Sequence, residues 1–436
     1  MNTDLLVIGA GMAGLSAAAR ATRDGLRVVV VDVGEDIGGS ARYAGYAWTA
    51  PTHEVMDAVN PHGDIALKRA LVDRFDSGIG WIRSVGVECH DAVPILGFGR
   101  GHAFDTNQYV DLCRRLVTEG GGEVRLGTTT RRLLRSEGRI VGAEVEGPSG
   151  GEDIHARWTL LATGGFQGDP DLLATKIHPR AGAMQLRSNP HSTGAGYRLA
   201  ETVGAATGPE DAGFYGHLVP SHVPFADTAD FVDLSLYYSE HALLFNLDNE
   251  RFTDETLGDH LTTIALLDQR ESRGLLIADA RVHRDWMVTA YVEGAVSVDK
   301  FALANKRGGR VGLAQELDEL AYLPEEWGYD GAEIRARIEE YNAAAQNGSV
   351  APGRAKDALP LDEGPWYVIE CEPAVTFPFH GIRIDDRARV LDGNGAPIHG
   401  LLAAGSDTGG LWNRAYAGGL ASALVFGLTA AETAAS

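Results

Sequence analysis

Apolar residues open this chain in two uninterrupted runs, residues 5–8 (Leu-Leu-Val-Ile) and 28–31 (four valines), with small helix formers between Gly11 and Arg23. Continuous apolar runs this short predict strands buried on both faces, so the start reads strand, helix, strand, with Gly25 as the helix stop. Helices are predicted over residues 64–86 and 107–119. In the second, Tyr109, Leu112, Cys113, Leu116 and Val117 share one face, and Gly120-Gly121-Gly122 ends it. Strands follow at 123–126 and around 139–145, the latter in a hairpin turning at Glu137-Gly138. A third apolar run, 158–162, breaks into Gly164-Gly165. From about 185 to 373 the pattern loosens into turn-rich segments and short helices. One helix stands out over 332–345, where Ile334, Ile338, Tyr341 and Ala345 recur at helical spacing. Strands are predicted again at 382–385 and 389–392, with a turn at Gly393-Asn394-Gly395. A last apolar run, 401–404, leads into Gly405-Ser406-Asp407, and Gly418-Gly419-Leu420 opens a final helix.

The two opening strands carry chemistry at their ends. Gly9, Gly11 and Gly14 form G-x-G-x-x-G between strand and helix, and Asp32 ends the second strand eighteen residues past Gly14. Gly9 permits the tight turn, Gly11 lets a pyrophosphate approach the backbone, and Gly14 lets helix pack on strand. The N–H groups at the helix start, around Met12 and Ala13, hold the diphosphate, while Asp32 and its neighbour Val33 face a ribose. Gly39, Ser40, Ala44 and Gly45 lie in a small, polar stretch suited to a second approach to a flat ligand. Ala162, Thr163 and Gly164 repeat the strand-to-glycine logic at the carboxyl edge of the sheet. The late return at Asp407 and at Gly418, Gly419, Leu420 and Ala421 suits a long cofactor such as FAD. Asp407 is expected to reach ribityl hydroxyls, and the helix start to face the ring edge where negative charge collects on reduction.

Composition narrows the partners. The formal charge of −22 disfavours nucleic acid and anionic membrane surfaces. No apolar run approaches a membrane span, and a strand at residue 5 leaves no room for a leader, so a cytoplasmic setting is expected. The three cysteines, Cys89, Cys113 and Cys371, form no C-x-x-C, and no histidines are spaced as H-x-x-x-H, so a metal site is not expected.

Taken together, Gly9-x-Gly11-x-x-Gly14, Gly38-Gly39-Ser40, Ala162-Thr163-Gly164-Gly165-Phe166, Thr193-Gly194-x-Gly196, Arg251-Phe252-x-x-Glu255, Ala403-Ala404-Gly405 and Asn413-Arg414 before Gly418-Gly419 give a clear resemblance. The chain resembles the fumarate reductase/succinate dehydrogenase flavoprotein family, in particular its single-chain branch with 3-ketosteroid and tricarballylate dehydrogenases. The resemblance implies an α/β fold. A Rossmann-like FAD-binding domain of glutathione-reductase type would occupy 1–184 and 374–436, with an inserted α+β capping domain at 185–373. It implies non-covalent FAD, because the histidine used for covalent attachment is missing from residues 40–43. It implies hydride exchange between flavin N5 and a C–C bond α,β to a ketone or carboxylate of a small molecule, with the electron partner left open.

The resemblance also supplies candidates. Arg414 stands where the family's arginine grips a substrate carboxylate; its bland reading is a surface arginine on a turn. Tyr416 can hydrogen-bond a carbonyl or relay a proton, or simply pack. His380 can be acid, base or flavin neighbour, or a satisfied packing residue. The family's proton-donating arginine is absent from Thr256-Leu257-Gly258-Asp259-His260, so His260 with Asp259 is a candidate replacement, against an exposed helix start. Arg251 and Glu255 read as an internal ion pair. These departures point away from fumarate as substrate and leave two alternatives, a flavin-dependent alcohol or amine oxidase and a non-catalytic flavin-binding protein.

Overall fold

The computed structural model describes residues 2–227, 229–290 and 296–436, and the chain divides into two compact units. The first holds the chain up to Gly182 together with Ser188–Phe214 and Phe377–Ser436; the second holds Ala183–Arg187 and Tyr215–Thr376.

In the first unit, β1 (Asn2–Ile8), α1 (Met12–Arg23), β2 (Val28–Val31), β3 (Glu123–Arg125), β4 (Gly150–Leu161), β5 (Pro397–Ala403) and α2 (Gly419–Ala435) make the frame. The strands lie in the order β3-β2-β1-β4-β5, all neighbours parallel, with Arg389–Leu391 antiparallel at the β5 edge. Register runs Leu5 opposite Val28 on one side and Trp158 on the other. Leu5, Leu6 and Val7 are fully buried, as a central parallel strand with both faces covered requires. This order reverses direction between β1 and β4, and open α/β sheets hold ligands at the carboxyl ends of strands at such a switch point. The helix α2 lies on α1, where a Cβ at Gly427 would come within 2.5 Å of the Ala13 carbonyl.

The hairpin of Thr129–Ser136 with Arg139–Gly147 turns at Glu137 and Gly138, both at positive φ, and continues antiparallel into β4. The predicted long helices occupy Ile65–Val85 and Thr106–Glu119. In the second, Tyr109 is fully buried and its hydroxyl bonds Ser16 Oγ at 2.8 Å and Trp81 Nε1 at 3.0 Å. Two features were not anticipated. Tyr46–Thr49, Val93–Ile95 and Gly99–Ala103 form a small antiparallel sheet, and Gly39–Tyr43 is a 3-10 turn rather than an open loop.

The second unit is more regular than its sequence suggests. Instead of irregular segments it has a six-stranded sheet built around the long strand Trp366–Pro378. That strand pairs antiparallel with Gly274–Ala278 and Val311–Ala314, and Leu243–Asn246 extends the sheet. Its two faces separate by residue parity. Leu243, Phe245, Leu275 and Ile277 pack with Ile334, Ile338 and Tyr341 of helix Gly331–Gln346. Leu244, Leu276 and Cys371 pack on the opposite side with Leu266 and Met287. The boundaries also differ from expectation, because Ser188–Phe214 belongs to the first unit and brings Thr193 and helix Ala195–Thr202 with it. Among the described residues no helix is long and apolar enough to cross a membrane, and no cluster of His, Cys, Asp and Glu could hold a metal ion.

Candidate active site

At the switch point the backbone itself is the binding surface. Gly9 has φ +110, and a Cβ there would sit 2.1 Å from the Ala162 carbonyl; one at Gly14 would sit 1.9 Å from the Gly9 carbonyl. Gly11, by contrast, has only Gly38 O near its absent Cβ, at 3.9 Å, so the space over its backbone is open. Both α1 and α2 begin at glycine N-caps, Gly11 and Gly418, with no capping side chain and no acid in the first turn. Uncapped N–H groups at the positive end of a helix are a ready seat for an anion or an electron-rich ring edge. Met12, Ala13 and Gly14 lie on the first turn of α1, and Gly419, Leu420 and Ala421 on that of α2.

Asp32 is half-buried at the end of β2. Its carboxylate accepts from Ala10 N at 2.6 Å and Gly34 N at 2.7 Å, while Val33 beside it is 47% exposed. Gly39, Ser40, Ala44 and Gly45 are half-buried around the 3-10 turn, where Ser40 Oγ shares a 2.8 Å hydrogen bond with Ser188 Oγ. Gly164 lies at φ +94 after Ala162 and Thr163. These glycine crossings, the open backbone at Gly11 and the two bare helix starts fit a dinucleotide with a flavin at its end.

Asp407 has a structural role that the sequence did not suggest. It is 1% exposed, and its oxygens accept from Thr163 N at 2.5 Å, Thr163 Oγ1 at 2.9 Å and Gly165 N at 2.9 Å. Burial pushes its carboxyl upward against those bonds. These bonds tie the loop after β5 to the loop after β4. Thr163 Oγ1 in turn accepts from Gly196 N at 2.9 Å, which draws the T-G-x-G segment into the same knot.

The predicted catalytic residues separate. Arg414 is exposed on a turn whose geometry is set by Asn60, a residue the sequence did not single out. The fully buried Asn60 accepts through Oδ1 from the N–H groups of Asn413, Arg414 and Ala415 at 3.1–3.2 Å and donates to Ala415 O at 2.9 Å. Tyr416 is half-buried, and its hydroxyl accepts from Gly419 N at 2.9 Å, so it orders the first turn of α2. Its ring meets those of Trp48, Phe377 and Trp412 at 5.2–5.9 Å. His380 is fully buried, with Nδ1 donating to Pro209 O at 2.8 Å and Nε2 accepting from the Tyr197 hydroxyl at 3.0 Å. Burial lowers its pKa. Both ring nitrogens are thus engaged by the fold.

In the second unit, His260 is 7% exposed on helix Asp259–Leu267, its ring 5.7 Å from that of Tyr215. The expected pairing with Asp259 does not form. Asp259 instead accepts a hydrogen bond from Nδ1 of His217, and from Leu218 N at 3.0 Å. Around His217 stand Tyr215 and Tyr237, with ring centroids at 4.8 and 5.1 Å. Arg187 donates to Tyr237 OH at 3.0 Å, Phe231 O at 2.7 Å, Ser235 Oγ at 2.9 Å and Thr376 Oγ1 at 3.1 Å. Lys300, 4% exposed, donates to Val232 O and Asp233 O and sits 5.4 Å from the Tyr237 ring. Burial pushes Lys300 down to about 8 and His217 down to about 4, the Arg187 charge adding to the second shift. Arg251 and Glu255 form the expected internal pair at 2.6 Å, joined by Arg354 Nη1 at 3.3 Å, with Glu255 fully buried.

Residues 99–422 match the FAD binding domain family, and residues 4–175 match a second family described as FAD dependent oxidoreductase. A probable fumarate reductase of Shewanella frigidimarina is 26% identical over 99% of this chain and 75% of its own length. The urocanate reductase of Eggerthella lenta is 26% identical over the whole chain and 75% of its own. In fold, the 3-ketosteroid Δ1-dehydrogenase of Sterolibacterium denitrificans superposes with a TM-score of 0.80 at 18% identity, covering 100% of this chain and 99% of that one. The chain belongs to the FAD binding domain family and is an FAD-dependent dehydrogenase/reductase acting on CH–CH groups.

Proposed function

We propose that the chain binds FAD non-covalently and adds or removes hydrogen across a C–C bond next to a ketone or carboxylate of a small organic molecule. The observation that carries this reading is the pair of helices α1 and α2, which start within one unit on glycines with neither cap nor acid. α1 would hold the diphosphate and α2 the pyrimidine edge of the ring, with Asp32 at the adenosine ribose. Absence of histidine and cysteine from the turn after Gly39 supports non-covalent attachment. When bound, FAD supplies a hydride acceptor and donor. The chain's own residues orient the substrate: Arg414, on its Asn60-fixed turn, is suited to hold the oxygen end bidentately. Three unpaired cysteines support a reduced, cytoplasmic setting.

Acid precipitation of the purified holoprotein tests the first half. It is expected to leave FAD in the supernatant and a colourless pellet; a yellow pellet overturns non-covalent binding. The reaction is tested by reoxidation of the reduced holoprotein with fumarate, urocanate and a steroid dienone under argon. At least one is expected to restore the yellow spectrum, and Arg414→Ala to raise the KM for that compound about tenfold or more. Inertness toward all of them, with peroxide formed in air from an alcohol or amine, overturns the reading in favour of an oxidase.

A further inference from the structure

The first unit holds a cavity whose lining residues are all distinct from those assigned to FAD above. Its volume is about 370 Å³, within the range of small-ligand sites. Two faces of the fold enclose it. One is the small antiparallel sheet, where Thr49 stands opposite Arg100, and Arg100 and His102 point to one side of their strand. The other is helix Ile65–Val85, which turns Val72, Phe75 and Asp76 into the space at i, i+3, i+4 spacing.

The floor is apolar and the rim is charged. Ala50 and Phe75 are buried, while Arg100 and Asp76 are exposed. Among the described residues neither of these two charges has an ion-pair or hydrogen-bond partner for its side chain. Arg69, Asp73 and Arg74 on the same helix are, by contrast, paired with Asp57, His53 and Glu432. The third polar group is His102. Its Nδ1 donates to His90 O at 2.7 Å, which leaves the Nε2 lone pair of the neutral ring as an acceptor.

A cation, an anion and an acceptor nitrogen over an apolar floor match a zwitterion with a hydrocarbon side chain. Arg100 suits its carboxylate, Asp76 and His102 Nε2 suit its ammonium group, and Phe75, Val72 and Ala50 suit its side chain. A dicarboxylate would bring a second negative charge beside Asp76, against a molecule that already carries −22. We propose that this cavity binds a free α-amino acid with an apolar side chain, at a site separate from the FAD seat.

Isothermal titration calorimetry on the FAD-loaded protein tests the site, with leucine and phenylalanine as ligands. Each is titrated beside two analogues that keep one of its charges. These are isocaproate and isoamylamine for leucine, hydrocinnamate and phenethylamine for phenylalanine. At least one amino acid is expected to bind one to one, and its two analogues about tenfold or more weakly. Arg100→Gln and Asp76→Asn replace exposed side chains that have no partners, so fold and flavin spectrum are expected to stay as in wild type. Each is expected to weaken amino-acid binding about tenfold or more. Absence of binding by both amino acids at millimolar concentration, or an affinity that either variant leaves unchanged, overturns the site. An acid or amine that binds as tightly as its parent amino acid overturns the ligand class.

Discussion

Asn60 shows how much one buried amide can hold. Its Oδ1 serves three consecutive N–H groups of the Arg414 turn, its Nδ2 closes on Ala415 O, and its own carbonyl accepts from the buried Lys68 Nζ at 2.9 Å. Asn60→Ala strands several of these groups at once, at about 1–3 kcal/mol for each buried group left unpaired. A loss of about 3 kcal/mol or more is expected in urea unfolding, together with weaker substrate binding through Arg414. A midpoint unchanged from wild type would show that the turn has another support. His217 gives a prediction of opposite kind, in pH rather than in side-chain volume. Its folded pKa of about 4 lies below its unfolded value of about 6.5. The unfolded chain therefore binds a proton first as the medium is acidified. The stabilising contribution is complete above about 6.5 and is lost as pH falls toward about 4, up to about 3 kcal/mol in all. Thermal melts between these limits are expected to fall more steeply for wild type than for His217→Gln. Neither residue was legible in the sequence. Asn60 acts on a turn more than 350 positions away, and Asp259 carries the same local context whether its partner is His260 or His217.

Elements were legible where their cause is local. G-x-G-x-x-G, the valine run and the acid that ends it specify β1, α1 and β2 within a few residues, and the closing Gly-Gly specifies the start of α2. The strands of the second unit were hidden for a physical reason. Leu243–Asn246 and Gly274–Ala278 are buried along their whole length, so they lack the alternation that marks a one-sided strand, and they are too short to be told from pieces of helix. The segment Ser188–Phe214 was misplaced because its turn-rich composition says nothing about which unit it closes on; that depends on Thr163 and Asp407. The two bare helix starts make the sharpest test at this scale. An acid at Leu420, in the first turn of α2, complements the helix dipole and is expected to stabilise the apoprotein by about 0.3–1 kcal/mol relative to Leu420→Ala. The same acid sits where negative charge collects on the reduced ring. Leu420→Asp should therefore bind FAD about tenfold or more weakly than Leu420→Ala. Opposite signs for stability and affinity, read by melting and by flavin fluorescence titration, mark a cofactor seat; equal signs would mean that α2 starts bare for another reason.

For the molecule as a whole, the governing fact is that the FAD-binding unit is built from three separated stretches of chain. Its sheet is completed by β5, which pairs with β4 through Leu401 opposite Thr159, and its α1 is covered by α2. Nearly four hundred residues of chain must therefore be made before the opening βαβ has its full partners, and truncation before β5 is expected to abolish FAD binding. The long insertion is a different matter. Phe379 N donates to Gly213 O at 2.9 Å, so the chain leaves and re-enters the first unit at adjacent backbone positions. Two ends held that close can be joined by a short linker, and shortening the loop lowers its closure entropy, which grows only with the logarithm of length. Replacing Tyr215–Thr376 with a few glycines and serines is expected to leave a protein that binds FAD and bleaches on photoreduction. It would lack the insertion and is expected to reoxidise with unsaturated acids or enones more slowly than the full chain. If the shortened protein binds no FAD, the insertion is part of the cofactor's support; if it turns over those compounds at the full chain's rate, the first unit carries the reaction by itself.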